Sequence, residues 1–122
     1  MTDKLSTVIL VVEDEPLIRW TLVDHFTELG FETLEAGNAD EAIELLTARA
    51  DISLVTTDVD MPGSMDGLAL MRVIRDRWPP VKLIVISSKS LAPDAVPDDV
   101  PVLGKPCDFE HLSHRIQSLL GS

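Results

Sequence analysis
The sequence predicts an α/β fold in which five parallel strands form one sheet covered by helices on both faces. Two observations carry that expectation. Short β-branched apolar runs alternate with stretches of helical periodicity along all 122 residues. Several of these runs are also continuously apolar, the pattern of strands buried on both sides in a parallel sheet. Right-handed crossovers leave few topologies, and in such sheets ligands bind beyond the carboxyl ends of the strands.

The first strand is Val8-Ile9-Leu10-Val11-Val12, which stops at Glu13-Asp14-Glu15-Pro16. Proline suits a first helical turn. Ile18, Leu22, Phe26 and Leu29 then recur at helical spacing, with Gly30 as the stop. Residues 31–36 form a second strand, and Asn38 with Glu41 resembles a capping box ahead of Ala42, Ile43, Leu45 and Leu46. The third strand, 52–57, ends at Asp58, and a loop over 59–67 leads to a helix bearing Leu68, Met71, Val73 and Ile74. That helix ends before Pro79-Pro80, and the fourth strand, 81–86, ends in Ser87-Ser88. Pro93, Pro97 and Pro101 then preclude a long regular helix, so 91–100 is expected to be short-helical at best, or mobile. Val102-Leu103 gives the fifth strand, and Asp108 is the N-cap of a last helix carrying Leu112, Ile116, Leu119 and Leu120.

Composition narrows the function. Ten Lys and Arg against 21 Asp and Glu give a formal net charge of −11. Such a surface repels phosphate backbones and anionic membranes, so neither nucleic acid nor membrane is an expected partner. The lone Cys107 excludes an internal disulfide framework and is expected to be a packing residue. His25, His111 and His114 lack metal-ligand spacing. With no apolar run near a membrane span and no secretory signal pattern, the expected location is the cytoplasm.

The residues after the strands carry the chemistry: Glu13 and Asp14, then Asp58, then Ser87 and Ser88, then Lys105-Pro106. Hard oxygen ligands without His or thiolate suit Mg²⁺, with Mn²⁺ as a substitute. A lysine and a hydroxyl beside that metal suit the oxygens of a phosphoryl group, and a central aspartate can be the nucleophile.

In these motifs the chain resembles the receiver domain of bacterial two-component response regulators. The acidic pair Glu13-Asp14, the stretch Asp58-Val59-Asp60-Met61-Pro62, Met65-Asp66-Gly67 and Lys105-Pro106 occur in the family's order, and the likeness spans 8–120. The resemblance implies a doubly wound sheet of order 2-1-3-4-5. It implies a phospho-acceptor at Asp58 and Mg²⁺ held by Asp14, Asp58 and the Asp60 carbonyl, with Glu13 acting through water. Lys105, before a cis bond to Pro106, would pair with the phosphoryl group. Ser87 would be the hydroxyl that moves to it, with Ser88 the register alternative. The phosphoryl donor would be a sensor histidine kinase or a histidine phosphotransfer protein. Residues 1–122 are expected to be a single receiver domain without an output domain.

The chain also departs from that family. The loop at Gly63-Ser64-Met65 is one residue longer than the common form, Cys107 stands where Phe is common, and Val102 replaces the usual switch aromatic. The sequence is also compatible with two other functions. One is a small metal-dependent phosphatase, suggested by the Asp58-Val59-Asp60 pair. The other is a degenerate receiver that only binds partners. Two further expectations concern the rim: Trp20, opposite the core face of the first helix, as a partner-docking residue, and Lys89 reaching Asp60 across the mouth of the site.

Overall fold
The computed structural model describes residues 7–61, 65–106 and 108–120. The expectations on Gly63, Ser64 and Cys107 lie outside them. The chain runs β1 (Val8–Val12), α1 (Pro16–Glu28), β2 (Glu32–Ala36), α2 (Ala39–Ala48), β3 (Ile52–Asp58), α3 (Gly67–Arg77), β4 (Lys82–Ser87), β5 (Val102–Gly104) and α4 (Phe109–Leu120). The five strands form one sheet in the order β2-β1-β3-β4-β5, every pairing parallel. This is the doubly wound arrangement the motifs implied.

β1 is buried along its whole length, as its uninterrupted apolar sequence requires. Its side chains feed two cores. Leu10 and Val12 join Leu46, Leu70, Met71 and Ile74 beneath α2 and α3, whereas Ile9 and Val11 join Phe26, Leu112 and Ile116 beneath α1 and α4.

Local signals set the helix ends. Pro16 opens α1. At its far end Gly30 has φ 97°, and the Gly30 and Phe31 amides donate to Thr27 O and Phe26 O. That is a left-handed glycine cap with a buried phenylalanine behind it, so Phe31 closes the helix and β2 starts one residue later than expected. Asn38 caps α2 by accepting from Glu41 N–H at 2.9 Å, while Glu41 reaches back to Gly37 N–H, one residue before the expected partner. Asp108 caps α4 through Glu110 N–H.

Between β4 and β5 the chain forms no regular helix. Proline lacks the amide a helix needs and restricts its predecessor, and three prolines fall within this stretch. Turns with Ala95 N–H on Ala92 O and Val100 N–H on Pro97 O carry it across the sheet face. Val100 is buried, Leu91 and Val96 pack partly against the α2–α3 core, and Asp99 is tied to Arg75 of α3 at 2.8 Å. The sheet edges are short or charged. β5 has three residues, and on β2 Glu32 pairs with Arg49 at 2.9 Å and Glu35 with Arg19 at 3.1 Å.

Candidate functional site
The parallel register brings the expected residues to one edge. Val12 lies beside Thr57, Asp58 beside Ile86, and Ser87 beside Gly104. Asp58, 5% exposed, ends β3. Lys105 Nζ stands 2.9 Å from Asp58 Oδ2 and 3.0 Å from Glu13 Oε1. Glu13 is 1% exposed, and its second oxygen accepts from Glu15 N–H at 3.1 Å. One carboxylate oxygen from each of Glu13, Asp14 and Asp58 lies within 4.8 Å of the others.

Burial pushes the Glu13 carboxyl above its ordinary range. The Glu15 amide and Lys105 pull it down, and the neighbouring Asp58 charge pushes it up again. Burial alone would lower Lys105, but the hydrogen bonds and charges of Asp58 and Glu13 outweigh it and hold the ammonium above its usual range. Three crowded carboxylates facing one ammonium leave negative charge unbalanced. Their hard oxygens fit a small divalent cation such as Mg²⁺.

The Met65-Asp66-Gly67 motif fixes this geometry through a close approach and a helix cap that the sequence analysis did not assign. α3 begins at Gly67, whose amide donates to Val59 O at 2.9 Å. A Cβ there would lie 1.8 Å from the Asp58 carbonyl oxygen, so only glycine lets the helix start so close to the strand end. Asp66 caps that helix by accepting from Ala69 N–H at 2.9 Å. The signal was present in the sequence as an Asp ahead of an apolar helical run.

Ser87 is the last residue of β4 and is buried; Ser88 is exposed. The Ser87 hydroxyl donates to Lys89 O at 2.8 Å and accepts from Lys89 N–H at 3.1 Å. Asp60 is exposed, and Lys89 Nζ comes within 3.8 Å of its Oδ2, so the two side chains form the expected pair. The Lys105–Pro106 bond is cis. Trp20 is 62% exposed on α1, beside the still more exposed Leu17, which the sequence reading had passed over. Leu17, Ile18, Leu22, Ile86, Pro106 and Phe109 line a cavity of about 270 Å³ that Lys105 also borders. Among the histidines, His25 stacks on Phe109 at 4.5 Å and bonds Ser113, an α1–α4 contact away from the acidic cluster.

Residues 9–117 match the response regulator receiver domain. The chain belongs to that family. Among curated relatives, the sensor kinase CckA of Brucella abortus (strain 2308) is 31% identical over 122 residues, which covers 94% of this chain and 13% of the kinase. A putative NtrX-like response regulator of Rickettsia conorii is 32% identical over 89 residues, covering 72% of this chain and 19% of that protein. The chain therefore spans less than a fifth of either relative.

Solved structures agree. The response regulator TrrA of Thermotoga maritima, in complex with Mg²⁺-BeF, superposes with TM-score 0.81 at 31% identity, over 93% of this chain and 98% of that one. The receiver domain of the hybrid histidine kinase CckA gives 0.79 at 31% identity over the same shares. This receiver is thus a phospho-accepting module of two-component signalling, and the phosphatase alternative for Asp58-Val59-Asp60 falls away.

Proposed function
We propose that Asp58 is the phospho-acceptor of this receiver. The observation that carries the reading is a buried aspartate at the end of β3, with Lys105 on one oxygen at 2.9 Å and Glu13 and Asp14 beside it. A phosphohistidine of a sensor histidine kinase or a histidine phosphotransfer protein presents its phosphorus to the strand-end edge, in the cytoplasm. An Asp58 carboxylate oxygen attacks in line, the bond from phosphorus to the imidazole nitrogen breaks, and that nitrogen takes up a proton.

Lys105, held beside Asp58 before reaction, follows the developing charge onto a phosphoryl oxygen. Asp14, Asp58 and the Asp60 carbonyl are the groups that would hold Mg²⁺. Glu13, whose oxygens already meet the Glu15 amide and Lys105, would act on the metal through water. That TrrA, a receiver 31% identical to this chain, forms a complex with Mg²⁺-BeF supports a metal at this edge of the sheet. Bound there, the metal supplies positive charge that offsets the acidic cluster and the incoming phosphoryl oxygens. Ser87 then leaves Lys89 and turns to the phosphoryl group, which pulls on the segment after β4. Water later hydrolyses the aspartyl phosphate, and the Lys89–Asp60 pair slows its entry. Trp20 and Leu17 anchor the histidine-bearing partner.

Labelling with acetyl phosphate and Mg²⁺ tests the reading. Asp58→Asn should abolish labelling and keep the fold, and labelling at the normal rate would sink the assignment. Trp20→Ala should slow transfer from the partner while sparing the small donor; equal effects on both would remove the docking role.

A further inference from the structure
Arg19 takes no part in the scheme above, yet it holds the backbone of the acidic pair. Its Nη1 donates to the Glu13 carbonyl at 2.9 Å, and its Nε meets Glu35 Oε1 of β2 at 3.1 Å. The Arg19 side chain is only 23% exposed. It packs over the β2–α2 turn, where a Cβ on Gly37 would come 3.4 Å from Nη1. Glu13 is consequently fixed at four points: its amide by Ala36 O, its carbonyl by Arg19, and its two carboxylate oxygens by Lys105 and the Glu15 amide. The peptide that Arg19 clamps is the one leading into Asp14, so its plane sets the direction from which the Asp14 carboxylate leaves the backbone.

We infer that Arg19 is a positioning residue for divalent-metal binding, aiming Asp14 through the Glu13 carbonyl. This rests on the proposed reading of Asp14 as a metal ligand. The inference makes a claim opposite in sign to simple electrostatics. A cation near an acidic cluster repels a divalent metal, so deleting a bystander arginine should tighten binding. Deleting a positioning arginine should weaken binding, because the ligand it aims is no longer held in place.

The experiment is a calorimetric titration of the whole chain with Mg²⁺, alongside labelling by acetyl phosphate over a range of Mg²⁺ concentrations. Arg19→Met keeps the apolar stem and removes both donors and charge; Arg19→Ala is the second variant, and unfolding curves identify which of them folds. The expected result is Mg²⁺ affinity roughly tenfold weaker, with the labelling rate restored at saturating Mg²⁺. Unchanged or tighter affinity overturns the inference, as does a labelling defect that saturating Mg²⁺ leaves in place. Asp14→Asn separates the two levels. If it weakens Mg²⁺ and Arg19→Met does not, the Arg19 inference alone fails. If Asp14→Asn binds as tightly as wild type, the metal reading fails and takes the Arg19 inference with it.

Discussion

Two stretches return the chain across the same face of the sheet, and they do so by different physics. Between β3 and β4 the chain uses α3. Asp66 caps the helix, its own amides and carbonyls satisfy one another, and Leu70, Met71 and Ile74 are buried beneath it. Between β4 and β5 it uses fourteen residues, 88–101, without a regular helix, where Val100 is the buried side chain and Leu91 and Val96 pack partly. Apart from its fraying ends, a helix packed on the core opens largely as a unit, whereas turns tied by a few side chains open piecemeal. The stable crossover follows Asp58 directly. The weaker one follows Ser87, the residue proposed to move. The difference between the two places low local stability where a phosphorylation signal would leave the site.

The contrast breaks most sharply at Gly67. Gly67→Ala should cost at least ~3 kcal/mol, because the added carbon meets the Asp58 carbonyl and not a yielding side chain. Urea unfolding should show the loss, and Asp58 labelling should fall with it. A paired truncation sharpens the comparison next. Ile74→Ala in α3 should cost ~3 kcal/mol, and Val96→Ala in the irregular crossover about 1 kcal/mol or less. Equal costs would mean that the two stretches are equally anchored. Asp66→Ala removes the cap of α3 and should cost ~1 kcal/mol, with faster amide exchange confined to the first turn.

The smallest effect belongs to Asp99. The hydrogen bond from Arg75, outweighing a slight opposing desolvation, holds its carboxyl below the ordinary carboxylate value of 3.8. A lowered native value means that the contact favours folding above that pH and is lost as pH falls through the lowered value. Asp99→Asn should leave global stability nearly unchanged at pH 7 and raise amide exchange over 92–100. At a pH low enough to protonate Asp99, mutant and wild type should exchange alike.

What the sequence made legible was whatever acts locally. Proline removes its own amide, so the missing helix was readable from Pro93, Pro97 and Pro101. Gly30, Asn38 and Asp108 likewise act within a few residues of themselves. The order of the residues at the strand ends was legible because a parallel sheet puts every carboxyl end on one side. The rest depends on distant partners. Glu13 and Lys105 are 92 residues apart, and Arg19 and Glu35 are 16 apart. Gly67 was legible as part of the Met65-Asp66-Gly67 motif, but the reason for a glycine there depends on the distant Asp58 carbonyl. Leu17 escaped notice because the helical pattern of α1 was read from its buried side, and a leucine is not an unusual surface residue.

The two ends of the sheet have a bearing on how copies of this molecule meet. Strand-to-strand association between proteins requires an open row of backbone groups long enough to template a new strand. β5 presents three residues, and β2 lines its five with glutamates that Arg19 and Arg49 hold in place. With an overall charge of −11, neighbouring copies also repel one another at a distance. Neither edge strand among the described residues therefore offers a long, uncharged template for a further strand.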